Sequence, residues 1–123
     1  MKPVYDVLEK NRGKVIYFDF WARWCPPCLA EMEPLKQLRS KFSTDDLIIY
    51  SICVSEPKEQ WEECLNEYSL KNRGIECVHV TDYLGIDNYQ KIRKQWKIDR
   101  MPYYVLINRK GQIIDFGTAA RPS

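Results

Sequence analysis

The chain has 123 residues, enough for one domain but not for two. Apolar residues make up 45% of it, aromatic residues 13% and charged residues 29%, which excludes disordered and low-complexity proteins. Nineteen basic and seventeen acidic residues leave a net charge of +2, and no basic stripe with interleaved aromatic residues occurs, so we expect no nucleic-acid partner. The apolar runs have the length of strands, so the sequence predicts no membrane segment, and without an apolar run at its N-terminus we expect no signal peptide there.

Five cysteines are present, and Cys25 and Cys28 alone share a recognised spacing, C-x-x-C. An odd number of cysteines leaves one thiol outside any disulfide framework. A structural zinc site needs about four ligands, and the chain offers a single C-x-x-C and a lone His79, so we expect no metal. We expect His79 to be a packing or surface residue and the cysteines at 53, 64 and 77 to be thiols outside the active pair.

Stretches rich in β-branched and aromatic residues alternate with stretches whose apolar residues recur every three or four positions. The first kind predicts strands at Val15–Phe20, Leu47–Val54, Cys77–Val80, Tyr103–Ile107 and Gln112–Phe116. The second kind predicts helices over Cys28–Phe42, after an N-cap at Ser55, and around Tyr89–Trp96. Pro34 lies inside the first helix and predicts a kink there.

Strands alternate with helices first, and the turn at Asn108–Gly111 then joins the last two strands as a hairpin. The sequence therefore predicts a single α/β domain, residues 1–123, with a mixed sheet and helices on its faces.

The Cys25-Pro26-Pro27-Cys28 segment follows a predicted strand and opens a predicted helix. At a helix start, unpaired N–H groups and the positive end of the dipole favour a thiolate on Cys25, which lowers its pKa and makes it the nucleophile. Cys28 lies one turn inside, close enough for a disulfide but shielded, while the prolines stiffen the loop. The alternative interpretation is a structural pair or chance spacing.

The run Phe18–Cys28 closely resembles the active-site segment of the thioredoxin superfamily, and Glu31–Leu35 is similar to the TlpA/ResA-like branch of thiol–disulfide oxidoreductases. The resemblance resumes at Met101-Pro102, the family's cis-proline position, and at Arg109–Ile113, its closing hairpin. It implies a thioredoxin-like three-layer α/β/α sandwich with a mixed central sheet and a TlpA-like helix–strand insertion at about 56–80. The family usually ends in a helix packed on the sheet, and residues 118–123 leave two alternatives open: a truncated C-terminus or the absence of this helix.

The resemblance also implies roles for individual residues. Cys25 would attack the substrate and Cys28 would resolve the mixed disulfide. Asp19 takes the place of the buried acid that accepts the Cys28 proton; the alternative is a strand Asp bonded to backbone groups. Glu56 resembles a glutamate near the active site of ResA-like proteins and would modulate pKa; the alternative is an acid in the first turn of a helix. Ser51 stands about where thioredoxins carry a lysine.

A substrate surface is implied as well. Pro102 would belong to the catalytic set, and Trp24, Pro26 and Met101 would bind substrate. Tyr103 follows the proline where thioredoxins often have threonine, which predicts an altered substrate groove.

The leading hypothesis is a monomeric thiol–disulfide oxidoreductase with no cofactor beyond the redox-active Cys25–Cys28 disulfide. The resemblance implies protein thiol or disulfide substrates, a redox partner protein and a periplasmic or envelope-facing location, with the cytoplasm as the alternative. Other functions are a peroxiredoxin-like peroxidase, a copper-handling domain and a non-catalytic binding domain. Peroxiredoxins usually have Pro-x-x-x-Thr/Ser-x-x-Cys, copper-binding Sco-like proteins C-x-x-x-C, and non-catalytic relatives normally lose one cysteine.

Overall fold

The computed structural model describes residues 7–55, 58–68 and 74–123. Among these residues the strands are β1 (Val15–Trp21), β2 (Leu47–Cys53), β3 (Ile75–His79), β4 (Tyr103–Ile107) and β5 (Ile113–Gly117). The helices are α1 (Pro26–Ala30), α2 (Met32–Lys41), α3 (Lys58–Glu67), α4 (Val80–Tyr83) and α5 (Ile86–Gln95), and a 3₁₀ turn follows at Thr118–Ala120. All five strands lie within two residues of their predicted bounds. No described helix combines the length and apolar character that crossing a bilayer requires.

The strands form one sheet in the order β3-β2-β1-β4-β5. β1 pairs in parallel with β2, and β2 in parallel with β3, whereas β4 runs antiparallel to both β1 and β5. Parallel neighbours need a crossover, which α1 and α2 supply between β1 and β2 and α3 supplies between β2 and β3. The predicted mixed sheet is confirmed, and β1 lies at its centre.

The side chains of β1 alternate between two buried apolar clusters, because successive strand residues point to opposite faces. Tyr17 and Trp21 belong to a cluster with residues of α1, α2 and α3, which we call the active-site face. Ile16, Phe18 and Phe20 belong to a second cluster with residues of α4 and α5. Complete burial of one such side chain stabilises the fold by roughly 1.5–3 kcal/mol. Helices therefore cover both faces of the sheet, and the three-layer sandwich is confirmed.

The kink predicted in the helix over Cys28–Phe42 is confirmed, and it divides that segment into two helices. The break lies at Glu31, between α1 and α2, where the backbone has φ −89° and ψ 0°. Pro34 is the cause: it has no N–H to donate to the Ala30 carbonyl four residues earlier, and its ring clashes with that carbonyl. The distortion is displaced one turn toward the N-terminus, where the Glu31 carbonyl accepts a bond from Leu35 N at 3.0 Å.

The segment predicted as an insertion, 56–80, contains α3 and the edge strand β3 in its described part. Trp61 and Leu65 of α3 are buried on the active-site face, and Tyr68 is half-buried against the same cluster. The helix predicted after Ser55 from apolar residues recurring every three or four positions is therefore confirmed, and these residues form its buried side. Residues 56–57 and 69–73 lie outside the described residues, so the N-cap role of Ser55 stays a prediction.

The replacement Leu35→Ala is expected to lower the free energy of unfolding by about 2–5 kcal/mol, because a buried leucine is lost and a cavity remains. Leu35 is fully buried on the active-site face. Urea unfolding of the oxidised protein, followed by tryptophan fluorescence, measures the change. Gln37→Ala, on the exposed side of the same helix, is the matched control and should change stability by about 0.5 kcal/mol or less. Equal losses in the two variants would contradict an anchoring role for Leu35.

Candidate active site

The Cys25–Cys28 pair lies where the chain leaves the central strand β1 and enters α1. Cys25 N donates to the Ala22 carbonyl at 3.2 Å, and Cys25 is the N-cap of α1. The two cysteines form a disulfide with their Cα atoms 5.3 Å apart. Pro26 and Pro27 occupy the first positions of α1, where a missing N–H leaves no helical bond unmade. The end of the strand and the start of the helix thus hold the two sulfurs within bonding reach.

Hydrogen bonding distinguishes the two sulfurs, and exposure does not. Cys25 is 4% exposed and Cys28 2% exposed in the disulfide form. The Cys28 N–H donates to Cys25 Sγ at 3.3 Å. A helix N-terminal N–H aimed at a sulfur stabilises negative charge on it, so the thiolate of the reduced protein is favoured at Cys25. Trp24, 69% exposed, and the exposed Pro26 border this sulfur on the surface.

Asp19 lies on the same face of β1 as Trp21, between its pairing partners Ser51 of β2 and Tyr104 of β4. It is 3% exposed, and its Oδ1 atom has no hydrogen-bond partner among the residues that the structure describes. Burial, with a smaller contribution from the charge of Glu31, raises the pKa of Asp19 to about 8. The predicted burial is therefore confirmed. The missing Oδ1 partner is at odds with the alternative of an Asp satisfied by backbone groups.

Two tyrosines complete the surroundings of Asp19. The rings of Tyr17 and Tyr104 stack with centroids 5.6 Å apart and planes 3° from parallel. Burial, followed by the charge of Asp19, raises the pKa of each phenol far above its ordinary value. The phenols therefore stay neutral and add no charge of their own to the surroundings of Asp19. None of the ion pairs among the described residues includes Asp19.

Glu31 is the site residue whose role the sequence reasoning missed. In the sequence it belongs to the family motif Glu31–Leu35, whereas the resemblance assigned the role of pKa modulator to Glu56. Glu31 is half-buried at the break between α1 and α2, and its charge contributes to the raised pKa of Asp19. Its position one turn after Cys28, on the helix that carries the cysteines, was the available signal. Glu56 lies outside the described residues, so its role stays a prediction.

Ser51 occupies the position at which the resemblance led us to expect a missing lysine. Its Oγ accepts a hydrogen bond from the Trp21 indole Nε1 at 2.8 Å, and both side chains are fully buried. The strand neighbour of Asp19 on this side is therefore neutral. A neighbouring cation would lower the pKa of Asp19, and this position does not supply one.

The Met101–Pro102 peptide bond is cis, as the resemblance implies. The Pro102 carbonyl accepts a hydrogen bond from Thr118 Oγ1 at 2.7 Å, and Met101 packs against the cluster that contains both cysteines. The expectation that Tyr103 shapes a substrate groove is not supported. Tyr103 is buried in the cluster on the opposite face, where its hydroxyl donates to the Trp96 carbonyl at 2.5 Å. Successive side chains of β4 point to opposite faces of the sheet, so Tyr104 lies on the active-site face and Tyr103 on the other.

His79, expected as a packing or surface residue, links β3 to the active-site loop. Its Nδ1 accepts a bond from Thr81 N, so the proton lies on Nε2, which donates to the Ser55 carbonyl at 2.7 Å. Ser55 Oγ in turn accepts a bond from Arg23 N at 3.0 Å, two residues before Cys25. The fully buried His79 thereby helps to hold the loop that leads to the disulfide.

The other three cysteines lie outside the disulfide. Cys53 is buried at the end of β2 with its sulfur 3.3 Å from Ser55 Oγ, and Cys77 is half-buried on β3. Cys64 is buried on α3, and burial raises the pKa of its thiol. A raised pKa disfavours the reactive thiolate, so Cys64 is a packing residue.

A family model described as Redoxin matches residues 4–123. The chain belongs to the Redoxin family. It is 26% identical to the thiol-disulfide oxidoreductase ResA of Bacillus thuringiensis (strain Al Hakam) over 108 residues, 88% of this chain and 57% of that protein. It is 23% identical to the sporulation thiol-disulfide oxidoreductase A of Bacillus subtilis (strain 168), covering 88% of this chain and 61% of that protein. The chain therefore spans a little over half the length of these relatives.

Solved structures share the fold of this Redoxin-family chain. The thioredoxin domain of a Bacteroides vulgatus thiol-disulfide oxidoreductase superposes with a TM-score of 0.75 at 21% identity, over 89% of this chain and 73% of that one. StoA from Bacillus subtilis superposes with a TM-score of 0.67 at 19% identity, over 85% and 73%. Family, relatives and fold agree that the chain is a TlpA/ResA-like member of the thioredoxin superfamily.

The replacement Asp19→Asn is expected to remove most of a pH dependence of stability. Folding raises the pKa of Asp19 from 3.8 to about 8, so the folded chain binds this proton more tightly than the unfolded chain. The free energy of unfolding should therefore fall as the pH rises from about 4 to about 8 and then level off. Since one pKa unit corresponds to about 1.4 kcal/mol, the variant should gain a few kcal/mol relative to wild type across this range.

Urea unfolding of both oxidised proteins at about pH 4.5 and about pH 9 measures this difference. Asp45→Asn, which neutralises an exposed carboxylate, is the matched control and should keep the wild-type slope. If Asp19→Asn left the change in the free energy of unfolding with pH as it is in wild type, the raised pKa of Asp19 would be contradicted.

Proposed function

We propose that this chain is a thiol–disulfide oxidoreductase that exchanges disulfides with protein substrates through Cys25-Pro26-Pro27-Cys28. The observation that carries the proposal is the hydrogen bond from Cys28 N to Cys25 Sγ, together with a buried carboxyl group at Asp19 on the strand that leads to the pair. It favours one sulfur as the nucleophile and leaves an acid within the same face of the sheet. The names of the relatives ResA and sporulation thiol-disulfide oxidoreductase A support the same class of reaction.

The reducing half of the exchange has two steps. The Cys25 thiolate attacks one sulfur of a substrate disulfide, so that a bond from Cys25 to the substrate forms as the substrate S–S bond breaks. The first substrate thiolate leaves and takes up a proton from water. The Cys28 thiol then loses its proton, and its thiolate attacks Cys25 Sγ. The Cys25–Cys28 disulfide forms, the second substrate thiolate leaves, and two electrons have passed to the substrate.

Asp19 is the proposed acceptor of the Cys28 proton. The ionised form of Asp19 accepts this proton, and because burial raises the pKa of Asp19 to about 8, close to the roughly 8.5 of a free thiol, this form is a much stronger base than an exposed Asp carboxylate. Because Asp19 is buried, the transferred proton stays within the site until Asp19 releases it. A redox partner protein with its own dithiol would reduce the disulfide again, so no cofactor is required.

The proposed substrate surface consists of Trp24, Pro26 and Met101, while the cis Pro102 beside Met101 belongs to the proposed catalytic set. Trp24 and Pro26 are exposed beside Cys25, and Met101 packs on the cluster that contains both cysteines. An exposed tryptophan next to a buried disulfide supports contact with an apolar part of a protein substrate. We propose a monomer in an envelope-facing compartment on the basis of the TlpA/ResA resemblance, with the cytoplasm as the alternative.

The replacement Cys25→Ser is expected to reduce the rate of dithiothreitol-dependent insulin reduction to the uncatalysed rate, because the attacking sulfur is lost. Cys77→Ser is the matched control, since Cys77 lies outside the pair, and it should retain nearly wild-type activity. Peroxide consumption and bound copper, measured on the same preparations, test the peroxidase and copper-handling alternatives. Catalysed peroxide turnover without insulin reduction would reject the proposal, and loss of activity in the control would reject the assignment of the pair.

The variant Cys28→Ser provides the complementary result, because it leaves the attacking sulfur and removes the resolving one. It should accumulate a mixed disulfide between Cys25 and the substrate, visible by mass spectrometry. In the reduced wild-type protein near neutral pH, iodoacetamide should label Cys25 before Cys28. Preferential labelling of Cys28 would reverse the two roles.

The reduction potential of the Cys25–Cys28 pair is expected to lie closer to that of thioredoxin, about −270 mV, than to that of DsbA, about −120 mV. Strong oxidants of the family stabilise the reduced thiolate with a histidine between the cysteines, and Pro26-Pro27 offers no donor. Equilibration with glutathione buffers measures the potential. Pro27→His should make it less negative. A wild-type value near that of DsbA would reject a reducing role.

A further inference from the structure

Residues 118–123, which we call the C-terminal strap, are hydrogen-bonded to parts of the site that are far apart in sequence. Thr118 Oγ1 donates to the Pro102 carbonyl at 2.7 Å. The Tyr17 hydroxyl donates to the Ala120 carbonyl at 2.5 Å. These bonds anchor the strap at the loop before β4 and at the tyrosine that neighbours Asp19 on β1.

The far end of the strap reaches the break between α1 and α2. Ser123 N donates to Glu31 Oε1 at 3.0 Å, and Ser123 Oγ donates to Glu31 Oε2 at 2.9 Å. One residue therefore binds both carboxylate oxygens, which restricts rotation of the side chain more than a single bond would. Because the Ala120 contact already orders the strap, little further conformational entropy is lost when Ser123 binds.

The Glu31 carboxylate acts on a site that holds few other charges. The titratable groups that interact with Asp19 are Tyr17 on its own strand, Tyr104 on β4 and Glu31, while its β2 neighbour is a neutral serine. Asp115 of β5 acts on Tyr17, and Arg121 of the strap acts on Tyr104. Glu31 is the charge that contributes to the raised pKa of Asp19, so the position of its carboxylate bears directly on that acid.

We propose that Ser123 is a positioning residue: it fixes the Glu31 carboxylate, whose charge acts on the buried acid, so that the C-terminal strap governs when Asp19 takes up and releases a proton. In the reaction this proton is the one given up by Cys28, and in that respect the inference rests on the proposed function. Without the two bonds from Ser123, Glu31 is free to turn toward water, where solvent screens its charge from Asp19.

The test follows the ¹³Cγ chemical shift of Asp19 as a function of pH in the oxidised, ¹³C-labelled chain, where neither active-site sulfur titrates. The wild-type midpoint is expected near 8. Glu31→Gln should lower the midpoint, because a like charge is removed. Ser123→Ala should lower it by a smaller amount, and Ser123→Thr, which keeps the hydroxyl, should restore the wild-type value.

A double variant separates positioning from a general loosening of the structure. In Glu31→Gln/Ser123→Ala the midpoint should equal that of Glu31→Gln alone, since Ser123 acts through Glu31. Ser40→Ala, an exposed serine on α2 that bonds only a backbone carbonyl in the described part of the chain, is the matched control and should cause no shift. No shift in Ser123→Ala, an upward shift, or an equal shift in the Glu31→Gln background would overturn the inference.

The same proteins assayed for insulin reduction keep the two proposals distinguishable. The midpoints are read from the oxidised protein and need no turnover. Insulin reduction without the expected shifts would reject the role of Ser123 alone, whereas the shifts without insulin reduction would reject the proposed function alone.

Discussion

The burial of the Asp19 carboxyl group, on the central strand that leads into the disulfide, is the constraint to which the rest of the site is adapted. Transfer of an ionised carboxylate from water into a protein interior costs several kcal/mol unless a partner compensates it. Here Oδ1 has no hydrogen-bond partner, the neighbouring serine is neutral, and the nearby charge is the like charge of Glu31. Asp19 therefore retains its proton to near-neutral pH, and its ionisation above that pH destabilises the folded chain. A buried acid of this kind is suited to a reaction that requires proton transfer.

The central strand β1 brings the components together. Its alternation sends Phe18 and Phe20 into one apolar cluster and Tyr17, Asp19 and Trp21 to the other face, directly before the chain turns into α1. The sheet neighbours of β1 supply the surroundings, and the inserted β3 supports the active-site loop through the buried His79. The strand β1 thus contributes buried side chains to both apolar clusters and also contains the acid of the candidate site.

The elements with a strong local signal were the ones that sequence predicted well. The strand Tyr103–Ile107 was predicted with its observed bounds. Its β-branched and aromatic residues lie between Pro102 and the turn Asn108–Gly111, which mark the two ends of the strand. The kink in the helix over Cys28–Phe42 was predicted from Pro34, but its position at Glu31 followed only from the structure, because the lost hydrogen bond and the clash fall on the carbonyl four residues before the proline. Tyr103 was wrongly assigned to a groove because the side of a strand that a residue faces depends on register.

For this protein, local sequence alone determined the C-x-x-C at a helix start, the strand before it and the alternation of strands and helices, since these depend on spacing and on residue type. The resemblance carried by those residues pointed to the acid at Asp19. Only the tertiary structure decided which groups act on that acid: Glu31 across a helix break, Tyr104 from a strand 85 positions later, and a strap that ends on Glu31. A pKa is set by distances and burial, and these exist only once residues remote in the chain have packed together.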